Sequence, residues 1–182
     1  LHEIAQMPEL VRDIGIKRFF IQVIGIRGAS TQSSQGLQLT KKAWQSIIPE
    51  VAEEIANQGI IVTYPKVFLE AGEKFECAAR VAENYFIFPN GRVYQCPICE
   101  DFPLHSFHIR ANTLLPTPPI NETDLFSLNI SEGCVMNKLI QPGNIEYDQN
   151  GRPAYRIACC MLKEELCVYK DSKTSSGISA LV

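Results

Sequence analysis

Seven cysteines, at positions 77, 96, 99, 134, 159, 160 and 167, are the residues best suited to chemistry in this 182-residue chain. Thiolates bind soft or borderline metals, and four of them can hold a zinc ion or an iron–sulfur cluster. An odd number of cysteines without a secretion signal is a poor basis for a disulfide framework. The plain alternative is a set of buried free thiols, since Cys packs as a small hydrophobe. Most of these cysteines, however, sit beside hairpin or turn signals. Cys96-x2-Cys99 fits a zinc knuckle, a cluster or a redox pair. A redox pair needs to open a helix after a strand, and Pro103 with the prolines that follow disfavours that. Zinc gains support from His105 and His108, which give Cys96-x2-Cys99-x5-His105-x2-His108. The gap between the pairs is shorter than that of a standard zinc finger.

The elements that must position these thiols are hairpins. Tyr85, Phe86, Ile87 and Phe88 are strand formers, as are Val93 and Tyr94, and Asn90-Gly91 lies between them. Asn-Gly is the strongest short hairpin signal, because both central residues of a type I′ turn need φ > 0. The predicted hairpin ends on Cys96. Cys77 folds back beside it, and Pro97-Ile98 turns the chain so that Cys99 returns to the same neighbourhood. Asn150-Gly151 predicts a second hairpin, with Ile145–Tyr147 pairing against Tyr155–Ala158 and delivering Cys159 and Cys160. The two stretches, PNGRVYQC and QNGRPAYRIACC, echo each other. Adjacent residues of a strand point to opposite faces, so Cys159 and Cys160 are alternatives rather than joint ligands. Between the hairpins, residues 103–119 read as mostly irregular, Asn121–Asp124 as the cap of a short helix carrying Leu125, Phe126 and Leu128, and Cys134, after Gly133, opens the stretch VMNKLI. A further short helix is predicted over 161–169.

The first seventy residues have a different pattern. Ile4, Met7, Leu10, Val11 and Ile14 recur at helical spacing, Pro8 kinks or starts that helix, and Gly15 closes it. Ile16–Ile26 is an almost continuous apolar run, the pattern of a strand buried on both faces. Thr40 caps a helix carrying Trp44, Ile47, Ile48, Val51 and Ile55, which Pro49 should bend and Gly59 should end. Ile60–Tyr64 is the next strand. Helix, strand, helix, strand is the α/β repeat of a parallel sheet. After Pro65, proline, glycine, cysteine and short β signals take over. The expected organisation is therefore an α/β segment over 1–70, a small α+β, hairpin-rich cysteine module over 71–170, and a flexible tail over 171–182.

Composition bounds the function classes. Apolar content of 46% and charged content of 20% are ordinary for a globular protein. A net charge of −3 argues against a general nucleic-acid or membrane-surface binder. No apolar run approaches the ~20 residues of a membrane span. The opening residues are polar and acidic, unlike a signal peptide, and a cytoplasmic location is expected. The chain begins with Leu1, so a fragment, a processed product or a cloning boundary is expected. No Ser-His-Asp or paired-carboxylate constellation stands out, and Glu100-Asp101 and Arg92 read as solvated.

Cys77-x13-Gly91-x4-Cys96, carried on the strand-turn-strand FIFPNGRVYQCP, resembles the opening of the SPASM or twitch module. That module forms the C-terminal part of many radical S-adenosylmethionine (radical SAM) enzymes, where later cysteines complete auxiliary iron–sulfur clusters. The specific part of the resemblance covers residues 77–96. It implies that residues 1–70 are the last βα units of a partial, TIM-like barrel. IQVIGIRGAS then resembles a late barrel strand whose C-terminal end lies near the adenosyl cofactor, making Gly25 and Arg27 candidate cofactor-binding residues. It implies a [4Fe–4S] auxiliary cluster drawn from Cys77, Cys96, Cys99, Cys134, Cys159 and Cys160, with Cys167 the weakest candidate and zinc the alternative metal.

Three departures from the family pattern matter. The initiating Cys-x3-Cys-x2-Cys motif is absent, since the first cysteine is Cys77. The later Cys-x2-Cys-x5-Cys-x3-Cys pattern is absent after Cys99, which suits one cluster better than two. Cys99 is additional to the opening motif. The chain is therefore not expected to be catalytic alone. The complete enzyme, with the missing N-terminal barrel portion, would cleave S-adenosylmethionine and modify a peptide or small metabolite by radical chemistry. A zinc-stapled interaction module and a metal-free α/β domain with buried thiols are the competing readings.

Overall fold

The computed structural model describes residues 2–25, 38–70, 72–99 and 102–168. The fold is mixed α/β, with six α-helices and small open sheets among the described residues. The chain divides into two compact units, 1–66 with 163–182 and 67–162.

In the first unit, α1 (His2–Ala5) precedes α2 (Met7–Ile14), so Pro8 starts a helix rather than kinking one. Gly15 closes α2, donating its N–H to the carbonyls of Val11 and Arg12. Strand β1 (Arg18–Phe20) runs parallel to β2 (Ile61–Pro65), with Arg18 opposite Ile61. The crossover between them is α3 (Lys41–Asn57), capped by the Thr40 hydroxyl, which accepts the N–H of Ala43 at 3.2 Å. Trp44, Ile48, Val51, Ala52, Ile55 and Ala56 are its buried stripe. This burial extends on both sides of Pro49, and α3 continues through that residue as one helix. Apolar contact favours this arrangement over a break.

Strand β1 is much shorter than the apolar run suggested. The sheet order is β1-β2-β9, which puts β1 at an edge, and Phe20 is 53% exposed. The strand buried on both faces is β2 instead, with Val62, Thr63, Tyr64 and Pro65 all buried. The third strand, β9 (Lys163–Leu166), pairs antiparallel with β2, and Lys163 stands opposite Pro65. The helix expected over 161–169 is thus a strand. Glu165 explains the difference, because it is anchored across the sheet by Arg18 at 3.1 Å and by the Thr63 hydroxyl at 3.4 Å. Tertiary pairing outweighs the helical preference of KEEL.

In the second unit, β3 (Phe68–Leu69) pairs antiparallel with β8 (Arg156–Ile157). A four-stranded antiparallel meander holds β4 (Phe86–Ile87), β5 (Arg92–Tyr94), β6 (Phe107–Arg110) and β7 (Thr113–Pro116) in sequence order. Three short helices complete the unit: α4 (Ala78–Val81), α5 (Glu122–Phe126) and α6 (Val135–Ile140). Tyr94 is completely buried, meets Phe88 edge-on at 5.5 Å, and donates its hydroxyl to the Phe102 carbonyl at 2.8 Å.

The first hairpin forms where Asn90-Gly91 predicts it, but with a different turn. Gly91 donates to the Phe88 carbonyl and Phe88 to the Arg92 carbonyl, and Gly91, at φ 81°, is the loop's one residue with positive φ. This is a three-residue loop, a type I turn followed by a left-handed glycine, rather than a type I′ turn. Pro89 favours it, since its fixed φ suits the first central position of a type I turn. The second Asn-Gly builds the same loop: Gly151 donates to Asp148 and Asp148 to Arg152. Its flanks bridge only at Tyr147 and Pro153, because β8 is taken by β3. The Pro-rich stretch after Pro103 is not irregular. It forms β6 and β7, joined through Ala111 and Asn112 at φ 46° and 60°, the φ > 0 pair a type I′ turn requires.

Candidate metal centre

Each candidate thiol of the second unit is placed by a separate local device. Cys77 immediately precedes α4. Cys96 and Cys99 flank a single 3-10 turn, Pro97–Cys99, closed by the Cys99 N–H on the Cys96 carbonyl at 3.1 Å. Cys134 caps α6, and its sulfur accepts the backbone N–H of Asn137 at 3.4 Å. Cys159 follows β8 and opens a tight turn in which Leu162 donates to its carbonyl at 3.1 Å. Its sulfur accepts the backbone N–H of Ala78 at 3.4 Å. Cys134, Cys159 and Cys99 are buried, and Cys77, Cys96 and Cys160 are half-buried.

Gly133 sets the approach of Cys134 to the Cys159 segment. Cys134 donates its N–H to the Ile157 carbonyl at 3.1 Å, and Ile157 donates to the Glu132 carbonyl at 2.8 Å. Gly133 has φ 89°, and a Cβ there would lie 2.3 Å from the Ile157 carbonyl oxygen. Only glycine permits this backbone contact.

Electrostatics joins these segments into one neighbourhood. Cys77 interacts with Cys159, and that contact together with burial raises the Cys77 pKa. Cys159 moves the other way, down to about 6, because Cys77 and the N–H groups of Ala78, Met161 and Leu162 stabilise its thiolate. Cys99 pairs with Cys96, and that contact, burial and the charge of Glu122 raise its pKa. Cys134 is pushed up to about 12, first by burial, and it senses Cys96, Cys159 and Cys160. A raised thiol pKa in a crowd of thiols is the cost of gathering like charges, and a bound cation reverses it.

Among these thiols Cys77 neighbours Cys159, Cys96 neighbours Cys99, and Cys134 senses Cys96, Cys159 and Cys160. Cys167 belongs to the first unit, just beyond β9. All seven cysteines are free thiols. As they stand, the described residues contain no group of three or more His, Cys, Asp or Glu side chains arranged to grip a metal ion. His105 and His108 lie beside each other with ring centroids 6.0 Å apart and planes tilted by 55°, and His105 also meets the Tyr94 ring at a tilt. Of the candidate cofactor-binding residues, Gly25 lies past β1 in the first unit, and Arg27 is outside the described residues.

Comparison with protein-family models, with curated proteins and with solved structures returned no match. No helix among the described residues is long and apolar enough to cross a membrane.

Two features of the site carried no signal in the sequence. Glu122 lay in a stretch legible only as a helix cap, yet it is completely buried beside Cys99. A cleft of ≈ 570 Å³ opens at Cys77, lined among others by Phe75, Arg80, Val81, Phe126 and Arg156. Its lining comes from three separated segments, which no local pattern connects.

Proposed function

We propose that residues 67–162 are an auxiliary iron–sulfur module and that the chain is the C-terminal region of a radical SAM-type enzyme. The observation that carries this reading is the pairing of Cys77 with Cys159 and of Cys96 with Cys99, with Cys134 near a thiol of each pair. The donor set suits a [4Fe–4S] cluster, which takes four thiolates. The N–H···S bonds from Ala78 and Asn137 suit it too, since amide donors to ligand sulfur stabilise thiolate charge and tune the cluster. Cys77, Cys96, Cys134 and Cys159 come from different segments and are the first-choice ligands. Cys99 and Cys160 are the reserves.

When bound, such a cluster supplies an electron relay or a site for substrate. The chain's own residues provide the rest. The cleft at Cys77 presents Arg80, which makes no ion pair or side-chain hydrogen bond among the described residues, and Arg156, which holds the Glu73 carbonyl. These cations on apolar walls suit a peptide or a small metabolite bearing a carboxylate. Cleavage of S-adenosylmethionine requires the barrel portion that carries the initiating three-cysteine motif, with Gly25 and Arg27 contributing to its cofactor end. A reducing, cytoplasmic compartment would keep the thiols available.

Metal and acid-labile sulfide analysis of anaerobically purified protein tests the reading. Brown protein with iron and matching sulfide, about four of each per chain, is expected. Zinc without sulfide would replace the cluster with a structural staple. Folded, metal-free protein with seven titratable thiols would overturn metal binding altogether.

A further inference from the structure

Glu122 is the most unusual charged group in the second unit. It is 0% exposed, at the start of α5. Its Oε1 accepts the Gln95 backbone N–H at 2.6 Å and the Ser106 hydroxyl at 2.7 Å. Its Oε2 is equally buried and has no hydrogen-bond partner. No Lys, Arg or His among the described residues forms an ion pair with it.

Burying a carboxylate oxygen without a partner is costly, and native proteins resolve such cases with a cation, a proton or a metal. Gln95 adjoins Cys96, so the bond to Oε1 ties the carboxylate directly to the Cys96–Cys99 turn. Glu122 lies close enough to Cys99 for its charge to raise that thiol's pKa. The same corner thus holds two thiols and an unpartnered carboxylate oxygen. Carboxylate oxygen is an ordinary companion of cysteine sulfur around zinc, at about 2.0–2.2 Å.

We infer that Glu122 is an oxygen ligand, through Oε2, to the metal bound at Cys96 and Cys99, in addition to the cysteines. The inference rests on the reading that the second unit binds metal. Oε1 and its two hydrogen bonds hold the carboxylate in place, and Oε2 is left for the metal.

The test compares the full chain with Glu122→Gln, purified anaerobically. The amide retains an acceptor for Gln95 and Ser106 but turns the metal-facing oxygen into a nitrogen that does not ligate. The expected result is metal retention against a chelator reduced about 10–100-fold. Folding of the metal-stripped forms, followed by circular dichroism, should be alike. Equal retention and unchanged spectra in Glu122→Gln would overturn the inference while leaving the metal reading intact. A second measurement needs no variant. Mössbauer spectra of the iron-loaded wild type, or X-ray absorption if it carries zinc, should reveal an oxygen in the first coordination shell. An all-sulfur shell would overturn the inference. Wild type free of both metals would fell the underlying reading, and this ligand with it.

Discussion

The backbone N–H of Ala78 lies 3.4 Å from the sulfur of Cys159, a residue 81 positions further along the chain. This bond holds two cysteine-bearing segments, one opening α4 and one following β8, in register with each other. Cys77 then needs no metal to find Cys159, because the backbone has already brought them together. An amide N–H aimed at sulfur also favours thiolate over thiol, the form that ligates.

Removing a ligand should be distinguishable from removing a bystander. Cys77→Ala and Cys96→Ala are expected to lose most of the bound metal and to unfold at lower denaturant than the metal-loaded wild type. Cys167→Ala, in the other unit, should leave metal content unchanged. Metal analysis with urea unfolding checks this, and equal losses in all three variants would refute the ligand assignment.

Gly133→Ala should be among the most damaging single substitutions outside the cysteines. The new methyl group would meet the Ile157 carbonyl oxygen at 2.3 Å on a backbone at φ 89°. Clash and conformational strain together predict a loss of about 2–4 kcal/mol. Denaturant unfolding measures it. A loss below about 0.5 kcal/mol would mean that the Gly133–Cys134 segment and the Ile157 strand have room to separate.

Glu132 should make the second unit acid-sensitive. Lys138, Tyr147 and Ser131 donate to its carboxylate and hold its pKa down at about 2, against an ordinary value of 4.5. A depressed carboxyl stabilises the fold fully above about pH 4.5 and loses that contribution as pH falls toward about 2. Glu132→Gln should therefore be less stable than wild type at neutral pH, and the difference should vanish as pH approaches 2. A difference independent of pH over that range would show that packing, not charge, is what the substitution removes.

Ala111→Gly should stabilise the protein. Ala111 sits at φ 46° in the β6–β7 turn, where a Cβ costs about 1–2 kcal/mol. Glycine relieves that strain but gains freedom in the unfolded chain, leaving a net gain of about 0.5–1 kcal/mol. Thermal or urea unfolding would register it. A destabilised variant would indicate that the methyl group packs usefully in the turn.

The local signals were legible where a side chain determines its own backbone. Thr40 as a cap, Gly15 as a helix terminus and Asn121 as the cap of α5 follow from chemistry within a few residues. The local setting of several cysteines was legible for the same reason, since Cys96 and Cys99 flank a turn and Cys134 caps α6. What was hidden depended on distant partners. KEEL reads as helix until Arg18 and Thr63 claim Glu165, and residues 16–26 read as a buried strand until the sheet ends beside them. Ala111-Asn112 lacks the glycine that advertises a type I′ turn, so β6 and β7 escaped notice. Glu122 read only as part of a helix cap, because the Gln95 N–H and Ser106 hydroxyl that hold its carboxylate come from distant segments.

The pairing of Pro65 with Lys163 has a consequence for how the protein can be taken apart. The chain leaves the first unit just after Pro65 and re-enters it directly opposite that residue. Every residue of the cysteine module is thus an insertion between the two partners of a single rung. Joining Lys66 to Lys163 through a two-residue turn would make β2 and β9 an ordinary hairpin and yield the first unit as an uninterrupted polypeptide. In sequence, the second unit is a cassette set between β2 and β9 of the first.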